Sequence, residues 1–184
     1  MALYAGIDLH SNNHVLVVID EQDRVHYEKR LANELETTLN ALRPYRDDLV
    51  GIAVESTYNW YWLADGLIEA GFVVHLANTA RIGEYGGLKY TDDKHDARWL
   101  AHLLRLGILP EGYILAKPQR ALRDLMRRRM RLVQGRSAQI LTVQGLVERS
   151  TAQRLNTKRI RALDPEALIG LFPDPNEGLA AGAH

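Results

Sequence analysis

No cysteine occurs anywhere in the 184 residues, which excludes disulfides, thiolate metal sites and a cysteine nucleophile. No apolar run approaches the length of a membrane-spanning helix, and the opening MALYAGIDLH lacks a signal-peptide pattern. A cytoplasmic protein with no membrane partner is therefore expected. Internal repeats and low-complexity segments are missing too. The chain is long enough to bury a real core, in one domain plus an appendage or in one large domain.

Net charge is also lacking, with 23 Lys/Arg against 23 Asp/Glu, but the balance hides a segregation. Residues 117–161 hold 13 Lys/Arg and only two acids, Asp124 and Glu148. Residues 1–116 hold 10 Lys/Arg and 17 acids, and residues 162–184 hold four acids and no Lys/Arg. An acidic body, a strongly basic segment and a short acidic tail follow one another. Such asymmetry points to a polyanionic partner for the basic part.

Local patterns define the elements. LYAGIDLH (3–10), the β-branched run HVLVVID (14–20) and the alternating VHYEKRL (25–31) are joined by short turns, as in an antiparallel meander. Asn33 and Glu36 have the spacing of a helix-capping pair ahead of LETTLNALRPY, and Pro44 ends that helix. LVGIAVES (49–56) reads as a buried strand, YNWYWLADGLIEAG (58–71) as a helix with a C-terminal glycine, and FVVHLAN (72–78) as a further strand. A Gly-rich loop leads to GGLKYTDDKHDARWLA and another helix. The order β-β-β-α-β-α-β-α predicts an α/β fold: a mixed five-stranded sheet with helices on its faces. From Pro118, apolar residues from Leu122 to Val147 recur at three- and four-residue steps. They predict a long amphipathic helix or helical hairpin, with Gly135 and Gly145 as points of interruption. The tail FPDPNEGLAAGAH shows no core-forming pattern.

Carboxylates stand where strands disfavour them. Asp8 lies within the first strand and Glu55 closes the fourth, and a charge in a buried strand requires compensation. Asp93 and Asp96, three apart, share one side of the helix they open. Two accounts compete for the aspartates of TDDKHDA: first-turn acids favoured by the helix dipole, or half of a site completed by Asp8 and Glu55. Four converging carboxylates require cations, and hard oxygen ligands select Mg²⁺ or Mn²⁺. Two such ions serve phosphodiester chemistry.

This order, with GIDLH, AVES and TDDKHDA, resembles the RNase H-like fold in its RuvC-like form. It is most similar to the N-terminal DEDD domain of insertion-sequence transposases of the IS one-ten group, which includes the pilin-gene invertases. The resemblance covers roughly residues 3–150. By position it implies Asp8, Glu55, Asp93 and Asp96 as the metal-binding catalytic acids. TDD leaves Asp92 as an alternative to Asp93, and only Asp93 keeps the three-residue spacing. The family further implies DNA transposition or site-specific recombination, a helical arm for dimerisation or higher assembly, and a structured non-coding guide RNA. It also implies a C-terminal domain with a nucleophilic serine, which none of Ser11, Ser56, Ser137 or Ser150 matches. An isolated N-terminal part is thus expected: a catalytic domain (1–112), a basic helical arm (113–161), and a flexible tail or the start of a further domain (162–184). The rival readings are a self-sufficient RuvC-like junction nuclease and a non-catalytic nucleic-acid-binding or dimerisation module.

Arg123, Arg127, Arg128, Arg129, Arg131 and Arg136 exceed what neighbouring acids can pair, and arginine in such excess suits phosphate contact. His10, His14, His75 and His95 lack metal-ligand spacing and are read as polar or capping residues. Tyr58, Trp60, Tyr61 and Trp62 are read as helix–sheet packing rather than base stacking. GEYGGLK lacks the spacing of a phosphate-binding loop; its Lys89 is placed to meet a phosphate or to offset the acids.

Overall fold

The β-branched run of Asn13–Asp20 is buried almost end to end, which places β2 inside a sheet with both faces covered. The computed structural model describes residues 1–82 and 93–182. Strands β1 (Leu3–Leu9), β2 and β3 (Val25–Ala32) form the expected meander, with β1–β2 and β2–β3 antiparallel. Helix α1 (Leu35–Leu42) and a 3-10 turn at Arg43–Tyr45 lead to β4 (Leu49–Glu55), which lies parallel to β1. Helix α2 (Tyr61–Glu69) and β5 (Val74–Ala77), parallel to β4, follow. After α3 (Thr79–Ile82) and α4 (Asp93–Arg105), the two-residue β6 (Glu111–Gly112) adds an antiparallel edge. The sheet order is β3-β2-β1-β4-β5-β6, an RNase H-like arrangement with one short strand beyond the five expected.

The two faces sort by strand alternation. Leu3, Ala5, Ile7 and Leu9 of β1 pack with Leu16, Val18, Leu42, Leu63 and Leu67 on the side of α1 and α2. Val15, Val17 and Ile19 face Ala97 and Ala101 of α4. Each fully buried aliphatic side chain here contributes about 1.5–3 kcal/mol. Gly71, just past α2, takes φ 86°, a left-handed C-terminal conformation that glycine adopts without strain.

One expected cap is not formed. Glu34, not Asn33, occupies the N-cap of α1. The Asn33 side chain instead reaches His14 Nδ1 at 3.1 Å and donates to the His10 carbonyl at 3.0 Å, tying β2 to the turn after β1. Pro44 does not stop the chain turning, because it sits in the first turn of the 3-10 segment, where its missing N–H has no partner to lose.

The chain divides into compact units at Met1–Ile114 and Leu115–His184. In the second, α5 (Lys117–Thr151) runs unbroken for 35 residues, through Gly135 and Gly145. Nothing lies within 4 Å of where a Cβ would stand at either glycine, so the rod tolerates them at the cost of helix propensity alone. Val143 and Val147 of α5 form a small core with Leu155, Phe172 and Ala181. Helix α6 (Thr157–Ala162) ends the segment read as the arm, and the segment read as a tail carries helices α7 (Pro165–Ile169) and α8 (Pro175–Gly182). Asn156 and Asp164 cap α6 and α7 by accepting from backbone N–H groups. Phe172 and Ala181 anchor what composition alone presents as coreless. Among the described residues no helix is long and apolar enough to cross a membrane.

Candidate active site

The position of α4 depends on a glycine. A Cβ at Gly6 would stand 2.0 Å from the Ala97 carbonyl oxygen and 2.7 Å from the Ala101 nitrogen. Only a residue without a side chain lets the α4 backbone rest on the centre of β1. Gly6 and Asp8 lie two apart and share the strand face that α4 covers. The glycine of GID thus sets the depth of the helix, and the aspartate meets the helix N-terminal half.

Strand register supplies the second carboxylate. Gly6 pairs with Ala53 and Ile7 with Val54, so Asp8 and Glu55 come next to one another at the carboxyl ends of adjacent parallel strands. The chain leaves these two strands in opposite directions across the sheet, which makes this a topological switch point. Asp96 of α4 completes the group. Asp8, Glu55 and Asp96 line a pocket of about 150 Å³ with Thr79, Ile82, Trp99 and Leu100.

The electrostatics are those of crowded acids. Asp8 is only 4 % exposed, and its Oδ2 is buried without a hydrogen-bond partner among the described residues. His10 Nε2 stands 3.1 Å from that oxygen. The turn carrying His10 is fixed by Asn33 and Asn59, whose side chains both donate to its carbonyl at 3.0 Å. Burial and the Asp8 carboxyl beside it push Glu55 up to about 8, with Asp96 adding to the effect and the Leu9 N–H opposing it. Burial and the Asp8 carboxyl thus favour the protonated form of Glu55. Among the described residues no lysine or arginine lines the pocket.

Of the four acids read from the sequence, Asp8, Glu55 and Asp96 line this pocket, and the side chain of Asp93 lies outside the described ones. Asp93 is the first residue of α4, three positions before Asp96. Asp92, Lys89 and the GEYGGLK loop lie outside the described residues. Among the described residues no three acidic or imidazole side chains form a ready-made metal cage. The donor set still suits a hard divalent cation: the oxygens of three carboxylates, one Asp8 oxygen being buried beside the His10 imidazole, with no lysine or arginine among the described lining residues.

The remaining candidates fall elsewhere. His14 is buried against Asn33, Thr38 and Trp62, and burial lowers its pKa. His75 pairs with Glu111 at 2.9 Å. Trp60, Tyr61 and Trp62 pack on the core, while Tyr58 is exposed. Arg127, Arg128, Arg129, Arg131 and Arg136 are exposed along α5; Arg123 is half-buried and 3.5 Å from Asp124. Sequence reading missed Gly6 as the spacer and missed the row Arg98, Trp99, His102. The three- and four-residue steps from His95 were the available signal.

An RNase H-like sheet with a carboxylate pocket at its β1–β4 switch point defines the class of fold. The family model for DEDD transposases of the IS110 (IS one-ten) type, described as a transposase, matches residues 5–151, and the chain belongs to that family. Among solved structures, RuvC of T. thermophilus in complex with a Holliday junction substrate is similar at 17 % identity and a TM-score of 0.43, over 61 % of this chain and 100 % of that one. No curated protein matches the chain.

Proposed function

We infer that the chain is the metal-dependent DEDD domain of a DNA transposase or site-specific recombinase, with a basic helical arm that engages nucleic acid. The observation that carries this reading is the convergence of Asp8, Glu55 and Asp96 on one pocket, where burial and the Asp8 carboxyl raise the Glu55 pKa. Asp8, Glu55 and Asp96, with Asp93 from the same helix, would hold Mg²⁺ or Mn²⁺. A cation there would polarise a DNA phosphodiester and lower the pKa of a nucleophile. The protein's own contribution is to fix Asp8 and Glu55 on rigid strands, to aim Asp96 from a helix set by Gly6, and to wall one side with Trp99.

The arm supports two further parts of the reading. Its exposed arginines suit phosphate contact, with DNA or with a structured non-coding RNA, since both carry the same phosphodiester. Leu122, Leu125, Met126, Met130 and Leu132 are each more than half exposed on α5, an apolar surface suited to pairing with a second copy. The test is strand cleavage or transfer on DNA with Mn²⁺, with and without RNA co-purified from the host. Activity that requires RNA and is lost in Asp8→Asn supports the reading. RNA-independent cleavage of branched DNA favours a self-sufficient nuclease, and nucleic-acid binding with no divalent-metal response favours a non-catalytic module.

A further inference from the structure

Helix α4 carries a second row of side chains beside the acidic one. His95, Arg98, Trp99 and His102 line a separate pocket of about 220 Å³ together with Asp23. Asp23 comes from the β2–β3 turn, where its φ of 60° falls in the left-handed region that aspartate tolerates. Both oxygens of its carboxylate are engaged. Oδ1 accepts from His102 Nδ1 and Arg105 Nε, each at 2.9 Å, and Oδ2 accepts from Arg105 Nη2 at 2.6 Å. Partial burial works to raise the Asp23 pKa, but His102 and Arg105 hold it below the usual carboxylate range.

Arg98 is handled differently. Its Nη2 donates to the Asp23 backbone carbonyl at 2.9 Å, which fixes the guanidinium without neutralising it. Among the described lining residues the one acid, Asp23, is already taken by Arg105 and His102, and Arg98 is an exposed, positioned cation. Trp99 stacks on His102, with ring centroids 5.3 Å apart and planes 17° from parallel, and lines both this pocket and the acidic one. The two pockets thus share a wall, one lined by carboxylates and the other presenting the Arg98 guanidinium. A polyanionic strand approaching the carboxylates alone would be repelled; a fixed cation next door offsets that repulsion.

We propose that Arg98, held by the Asp23 turn and flanked by Trp99 and His102, is a phosphodiester subsite for the DNA strand that enters the acidic pocket. The guanidinium can grip a phosphate through two N–H groups, and the indole offers a face to the neighbouring sugar or base. This rests on the reading of the acidic pocket as the site of DNA chemistry.

The test is fluorescence anisotropy with the full chain and a labelled DNA oligonucleotide, in EDTA, across a range of salt. Arg98→Gln is expected to weaken binding about three- to tenfold and to reduce the salt slope by about one. Arg98→Lys should recover most of the slope, and thermal melting should show both variants folded. Lys29→Gln, an exposed charge change in the same unit, should leave the slope alone. Unchanged affinity and slope in Arg98→Gln, or an equal loss in Lys29→Gln, would overturn the subsite. So would inorganic phosphate competing as well as the oligonucleotide, phosphate for phosphate, since the pocket would then hold a free anion. Because no divalent metal is present, a loss in Arg98→Gln supports the subsite even if Mn²⁺ binding by the carboxylates fails.

Discussion

Glu55 and Asp20 show the same residue chemistry driven in opposite directions. Glu55 is raised to about 8, so the folded chain binds more protons than the unfolded one between its ordinary pKa of 4.5 and 8. Stability must then fall as pH rises through that window. Glu55→Gln is expected to raise the melting temperature by several degrees at pH 9 in EDTA and to flatten the pH dependence; an unchanged or lower melting temperature would count against the crowded-acid account. Asp20 is buried at the β2–β3 turn, where His26 Nε2 and the N–H groups of Arg24 and Gln22 lower it to about 2. Its stabilisation is complete above the unfolded pKa of 3.8 and is lost as pH falls from there toward 2. Acid titrations followed by circular dichroism should show Asp20→Asn losing that portion of the transition. Asp20 was invisible as a structural acid in the sequence, where it closes a β-branched run and looks like any turn residue.

Among the elements, α4 decides whether the site exists. Gly6→Ala would force a methyl group onto the Ala97 carbonyl, and the main chain cannot yield as a flexible side chain would. The expected outcome is a loss of about 3 kcal/mol or more in denaturant unfolding, with divalent-metal binding weakened in whatever folds. Wild-type stability in Gly6→Ala would contradict the close approach of strand and helix. The strands were legible because β-branched runs and alternation report burial directly, and the pairing of Asp8 with Glu55 follows once β4 is laid beside β1. What could not be read was depth. No pattern in GID or DARWLA says that Gly6 meets Ala97, and the capping role assigned to Asn33 failed because a tertiary contact with His14 outweighed the local signal. Likewise α6 to α8 carry too few apolar residues for periodicity to register. Their core forms only when Phe172 meets Val143 and Val147 across the unit.

At the scale of the whole molecule, charge segregation survives folding: the acidic pocket sits in the first unit and the exposed arginines run along α5 of the second. Replacing Arg127, Arg128, Arg129 and Arg131 together by glutamine should weaken nucleic-acid binding at every sequence tested. It should also lower the salt slope by about one for each phosphate no longer neutralised. A slope equal to wild type would remove the arm from the interface. Neither result touches the carboxylates, whose convergence is the central claim. The direct test is calorimetric titration of Mn²⁺ at pH 8, with and without DNA, into wild type, Asp8→Asn and Glu55→Gln. The account predicts binding by wild type, coupled to proton release because Glu55 must give up its proton, and no binding by either variant. Wild type that binds no Mn²⁺ even with DNA present, or Asp8→Asn that binds as wild type does, would contradict it.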